Sequence, residues 1–131
     1  MAESCCVSGG NIMILACSGA SNVGQLSNQA AVELTREGFG KMFCLAGIGG
    51  KLQGFVQSAR DVPAMVAIDG CELGCAKATL EQAGVPLQTY MVLTELGIKK
   101  NKDFNLQREE IDQVKNAIKQ TCGGDQQKDA V

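Results

Sequence analysis

Four cysteines of this chain occupy matched positions. Cys17 closes the apolar run Ile12-Met13-Ile14-Leu15-Ala16 and opens Ser18-Gly19. Cys44 lies in Lys41-Met42-Phe43-Cys44-Leu45-Ala46, ahead of Gly47-Ile48-Gly49-Gly50, and Cys71 follows Met65-Val66-Ala67-Ile68-Asp69-Gly70. Cys17 and Cys44 are 27 positions apart, as are Cys44 and Cys71, which is the length of one strand, loop, helix, loop unit. Cys75 stands four positions beyond Cys71, one helical turn away. Three thiols at equivalent strand ends and a fourth in the next turn read as a four-sulfur metal site. Zinc takes four thiolates tetrahedrally at about 2.3 Å, a span that neighbouring strand tips and one turn of helix can supply. Such a complex carries two excess negative charges, which the helix N-termini after Cys17 and Cys71 offset, with Lys51 and Lys77 as distant positive charges.

Two other chemistries suit the same residues. Four thiolates also hold an iron–sulfur cluster, and spacing does not separate the two. A thiol enzyme would use Cys17 as nucleophile or Cys71 and Cys75 as a redox pair. Against it, the chain contains no histidine to pair with a cysteine, and Val23 stands where a cysteine phosphatase would carry its arginine. Cys71 and Cys75 are also spaced too widely for C-x-x-C. No pair of residues suggests a general acid and base, so the metal role expected is structural or sensory and enzymatic activity is left open.

The elements that must position these cysteines follow from periodicity. The continuous apolar run Ile12–Ala16 reads as a strand buried on both faces. Val23, Leu26, Ala30 and Leu34 then recur at helical spacing behind Ser21 or Asn22 as cap, and Gly38 and Gly40 end that helix. Lys41–Ala46 is the second strand, with the glycines 47, 49 and 50 forming a tight turn beneath Cys44. Leu52, Phe55, Val56 and Ala59 make the stripe of a second helix. Pro63 precedes a third strand from Ala64 to Ile68. A third helix begins near Cys71 with Leu73, Ala76, Leu80 and Ala83 as its stripe, leaving Cys75 off that stripe; Asp69 either caps it or serves a sulfur through an intervening N–H. Thr89–Leu93 is the fourth strand, Thr94–Gly97 a turn, and Lys99–Asp103 a solvated polar loop. A last helix from Gln107 to Thr121 carries Ile111, Val114 and Ile118, with Cys122 as a small buried residue at its end.

Alternating strands and helices predict a three-layer α/β/α fold with a four-stranded, mostly parallel sheet in the Rossmann-like, flavodoxin-like order 2-1-3-4. That order makes the carboxyl ends carrying Cys44, Cys17 and Cys71 neighbours, at the edge where open α/β sheets bind ligands. Residues 1–10 are expected to be a flexible lead-in whose Cys5 and Cys6 are not ligands, residues 11–122 a single metal-binding domain, and residues 123–131 a disordered tail.

The 131 residues suffice for one self-supporting core. A charged fraction of 20% and a net charge of −2 give no reason to expect nucleic-acid binding or attachment to an anionic membrane. The first apolar run is too short to span a bilayer and no basic residue precedes it. A soluble cytoplasmic protein is expected, whose seven cysteines remain thiols or bind metal rather than pairing.

The chain resembles the DGC-domain family, small proteins named for the Asp-Gly-Cys triplet present here as Asp69-Gly70-Cys71. Cys17-Ser18-Gly19, Cys44-Leu45-Ala46-Gly47-Ile48-Gly49-Gly50, Cys75 and Thr94-Glu95-Leu96-Gly97-Ile98 also match. The resemblance implies zinc at Cys17, Cys44, Cys71 and Cys75. It assigns no reaction, no partner, and no role to Cys5, Cys6 or Cys122.

Overall fold

The computed structural model describes residues 11–130, with side chains as far as Cys122; Cys5 and Cys6 lie outside the described residues. The sheet comprises β1 (Ile12–Ala16), β2 (Gly40–Met42), β3 (Met65–Asp69) and β4 (Thr89–Val92). The helices are α1 (Asn22–Arg36), α2 (Leu45–Gly49), α3 (Gln53–Asp61), α4 (Cys75–Gln82) and α5 (Arg108–Ala130), and a 3-10 turn covers Leu93–Leu96. All strand pairs are parallel in the order β2-β1-β3-β4, as the alternation of elements required. Register sets Ile14 against Met42 and Val66, and Ala16 against Ile68. None of the helices is long and apolar enough, among the described residues, to cross a membrane.

The unbroken apolar strands are explained by two cores. Ile12, Ile14, Val66 and Ile68 point to one face, where Val23, Leu26, Ala30 and Leu34 of α1 and Ile111, Val114 and Ile118 of α5 cover them. Met13, Leu15, Met65 and Ala67 point to the other, against Ile48, Ala59, Leu80 and Val85. A side chain alternates faces at each step along a strand, so a strand covered on both sides has no polar position. Each buried Leu, Ile or Val contributes about 1.5–3 kcal/mol relative to exposure. Cys122 is 2% exposed in the first core, as expected of a small residue at the end of the Ile111–Val114–Ile118 stripe.

Local signals set most boundaries. Ser21 caps α1 by accepting from Gly24 N–H at 3.1 Å. The helix closes in a Schellman motif, with Phe39 N–H donating to Leu34 C=O and Gly38 N–H to Thr35 C=O. Several expectations are corrected. The second strand stops at Met42, and Cys44 is the N-cap residue of the one-turn helix α2 where a tight turn was expected. Leu52 is 55% exposed instead of lying on the α3 stripe. The third helix starts at Cys75 rather than near Cys71, because Gly74 holds φ 71° and the helical path cannot run through it, which leaves Leu73 72% exposed. The last helix continues past Thr121 to Ala130.

Candidate thiol site at the sheet edge

Cys17, Cys44 and Cys71 follow the carboxyl ends of β1, β2 and β3, where β1 is paired to both of the others. Cys17 comes directly after β1, and its N–H continues the ladder to Ile68 C=O at 2.9 Å. Phe43 N–H likewise reaches Ile14 C=O at 2.9 Å, just before Cys44. Cys71 is two residues past β3, and Cys75 is the first residue of α4. Their environments differ. Cys17 is buried, Cys71 half-buried, and Cys44 and Cys75 are exposed.

Burial pushes the Cys17 thiol above its ordinary pKa, and N–H groups of Gly70 and Gly19 donate toward its sulfur and oppose that rise. The negative charges of Asp69 and Cys75 add to the rise, which identifies Cys75 as an electrostatic neighbour of Cys17. The two N–H donors are the kind of partner that stabilises a metal-bound sulfur.

The Asp-Gly-Cys triplet divides into three structural tasks. The Asp69 carboxylate, 1% exposed, accepts from Ala76 N–H at 2.7 Å and Lys77 N–H at 3.1 Å. It therefore caps the first turn of α4 from six positions before the first helical residue. Tyr90 O–H also donates to it at 2.6 Å, and burial followed by that bond raises the phenol's pKa. At Gly70 a Cβ would lie 2.7 Å from the backbone carbon of Val23 and 2.8 Å from Gly24 N. Only glycine lets the loop after β3 lie on the first turn of α1. Gly24 makes the matching approach from α1, where a Cβ would be 2.7 Å from Gly19 N. Cys71 then packs against the core beside α1.

Cys44 borders a cleft of about 490 Å³ that Ala16, Ser18, Asn28, Phe43 and Thr79 also line. Thr79 belongs to α4 and donates its hydroxyl to Cys75 C=O at 2.7 Å, which links the Cys44 and Cys75 surroundings through the contact of α2 with α4. The four cysteines thus share one edge of the molecule. As the side chains stand, no three His, Cys, Asp or Glu groups among the described residues come close enough to hold a metal ion. The donor set fits zinc in type and number, and convergence of the sulfurs requires rearrangement at this edge.

Neither lysine named from the sequence has a hydrogen bond or ion pair to one of the four sulfurs among the described residues. Lys77 lies over the Tyr90 ring, 5.7 Å from its centroid, and Lys51 lines a separate cleft with Arg60. Instead, Lys100 Nζ donates to Cys71 Sγ at 3.4 Å and Lys102 Nζ to Ala20 C=O at 2.5 Å. The loop that carries them is tied to Asn22, which donates to Lys99 C=O at 2.8 Å and accepts from Asn101 N–H at 2.6 Å. Lys-Lys-Asn-Lys-Asp carries no local sign of these contacts: Cys71 lies 29 positions away in sequence, and Asn22 and Ala20 lie 77 to 82 positions away.

A family model described as the DGC domain matches residues 13–118, spanning all four cysteines and reaching well into α5. The "Anaerobic and virulence modulator AnvM" of Pseudomonas aeruginosa is 41% identical over 88 residues, covering 67% of each chain. No solved structure matches. With a parallel four-stranded sheet, the Asp-Gly-Cys triplet at its carboxyl edge and a family match over most of its length, this chain belongs to the DGC-domain family.

Proposed function

We propose that this chain is a small cytoplasmic regulatory protein that binds one zinc ion through Cys17, Cys44, Cys71 and Cys75, with the ion in a structural or sensory role. The observation that carries the proposal is the position of Cys17, Cys44 and Cys71 after three adjacent parallel strands, with Cys75 an electrostatic neighbour of Cys17. Four thiolates leave no coordination position open, and closed zinc sites hold or sense rather than catalyse. The regulatory part is supported by the relative whose name describes a modulator. A reducing cytoplasm keeps such thiols available.

Metal analysis of protein purified without oxygen tests the proposal. One zinc per chain is expected, with most of it lost on replacement of Cys17, Cys44, Cys71 or Cys75 by serine and retained in Cys122→Ser. Unchanged metal in Cys44→Ser refutes the four-ligand assignment. Brown protein with iron and acid-labile sulfide replaces zinc by a cluster at the same residues.

A further inference from the structure

Lys100 is exposed, and a lysine on a free loop would spread its ammonium over many positions. Its backbone is pinned on both sides. Asn22 Nδ2 donates to the carbonyl just before it, Asn22 Oδ1 accepts from the N–H just after it, and Asn22 N–H donates to Asn101 C=O at 3.0 Å. Asn22 is 5% exposed, so these bonds form largely out of water and are correspondingly costly to break. The clamp aims the Lys100 side chain at the carboxyl edge of the sheet, where its ammonium meets Cys71 Sγ at 3.4 Å. None of the ion pairs among the described residues engages Lys100.

We propose that Lys100 is a positioning residue for the thiol edge: its ammonium is the counter-ion of the Cys71 sulfur and tightens the hold of that edge on a thiophilic divalent cation. The assignment rests on the zinc-binding proposal, and its physical reason is charge. Four thiolates on a divalent ion form a dianion, and a cation fixed in hydrogen-bond contact with one sulfur stabilises that dianion more than it repels the metal. Removing such a contact to a metal ligand weakens binding by about tenfold or more.

Two readouts separate this role from simple folding support. The first uses reduced, zinc-free protein and compares alkylation of Cys71 by anionic iodoacetate and by neutral iodoacetamide, located by peptide mass spectrometry. The ratio of the two rates reports the local positive charge and cancels general changes in thiol exposure. Lys100→Met is expected to lower that ratio at Cys71 by about threefold to tenfold at low salt, while Lys100→Arg keeps it and Lys99→Met leaves it alone. The second is zinc affinity by chelator competition, where Lys100→Met should bind about tenfold more weakly at unchanged stoichiometry and Lys100→Arg should recover most of the loss. An unchanged alkylation ratio in Lys100→Met overturns the counter-ion assignment, and an unchanged zinc affinity overturns the tightening. If wild-type protein takes up no zinc, the zinc-binding proposal fails, and the alkylation ratio still decides whether Lys100 serves Cys71.

Discussion

Replacing Asp69 with alanine should be among the most damaging changes available at the site, for a reason unrelated to metal. The carboxylate accepts three hydrogen bonds, from Ala76 N–H, Lys77 N–H and Tyr90 O–H, at 1% exposure. Losing a helix cap costs about 1 kcal/mol, and stranding buried donors costs about 1–3 kcal/mol more. Tyr90 is only partly buried and can turn its hydroxyl to water, so the lower part of that range applies. The total is about 2 kcal/mol, equivalent to a fall of roughly 8 °C in melting temperature for a domain of this size. Asp69→Asn should lose about half as much, because one oxygen still serves Ala76 while the amide nitrogen faces the Lys77 N–H as a second donor. Tyr90→Phe should cost about 1 kcal/mol. Urea unfolding followed by far-ultraviolet circular dichroism, on protein stripped of metal so that linkage does not enter, measures all three. A loss below about 1 kcal/mol in Asp69→Ala refutes the capping account.

Gly70→Ala is expected to destabilise by about 3 kcal/mol or more, since its Cβ would meet backbone of α1 rather than a movable side chain. Gly54→Ala on α3 is the control: a Cβ there meets nothing within 4 Å, and helix propensity gains about 0.5–1 kcal/mol. Between α1 and α5, Arg108 and then Gln29 hold the Glu33 carboxyl down to about 2, from an ordinary 4.5. A carboxylate with a lowered folded pKa stabilises fully above its unfolded value and loses that contribution as pH falls toward 2. The stability gap between wild type and Arg108→Met should therefore be widest above pH 5 and close toward pH 2, and a gap independent of pH would contradict the pairing. If zinc binds as proposed, chelation should leave far-ultraviolet circular dichroism nearly intact while amide exchange quickens around residues 17–22, 44–51 and 69–76, because both cores are filled mainly by aliphatic side chains of the strands and helices.

What could be read from the sequence was whatever depends on local period. Ile12–Ala16 declares itself because both of its faces are buried, and the strand order follows from four such runs separated by helices. The Ser21 cap and the Gly38 stop are equally local. Errors arose where an apolar residue satisfied a period without being buried. Phe43–Ala46 looks like more strand, yet the chain leaves the sheet after Phe43 bonds to Ile14 and turns into α2. Leu73 falls at helical spacing from Ala76, but the left-handed Gly74 between them breaks the helix. At the site, Cys17, Cys44 and Cys71 could be named from equal spacing and Cys75 from its place one helical turn beyond Cys71, whereas the contacts of Asn22, Tyr90 and Lys100 could not be read. Their roles exist only through contacts between residues 21 to 79 positions apart in the sequence.

The glycine approaches on α1 have a mechanical consequence. Cys17 and Cys71 ride on loops seated against the same helical turn, at Gly24 and Gly70. Cys44 and Cys75 ride on α2 and α4, which touch across Gly49 and Thr79 on the opposite face of the sheet. The four cysteines thus lie on two sides of the sheet: Cys17 and Cys71 follow strands whose loops lean on α1, while Cys44 and Cys75 sit at the starts of helices packed on the other face. A substitution that displaces one helical layer is therefore expected to disturb one pair of thiols before the other.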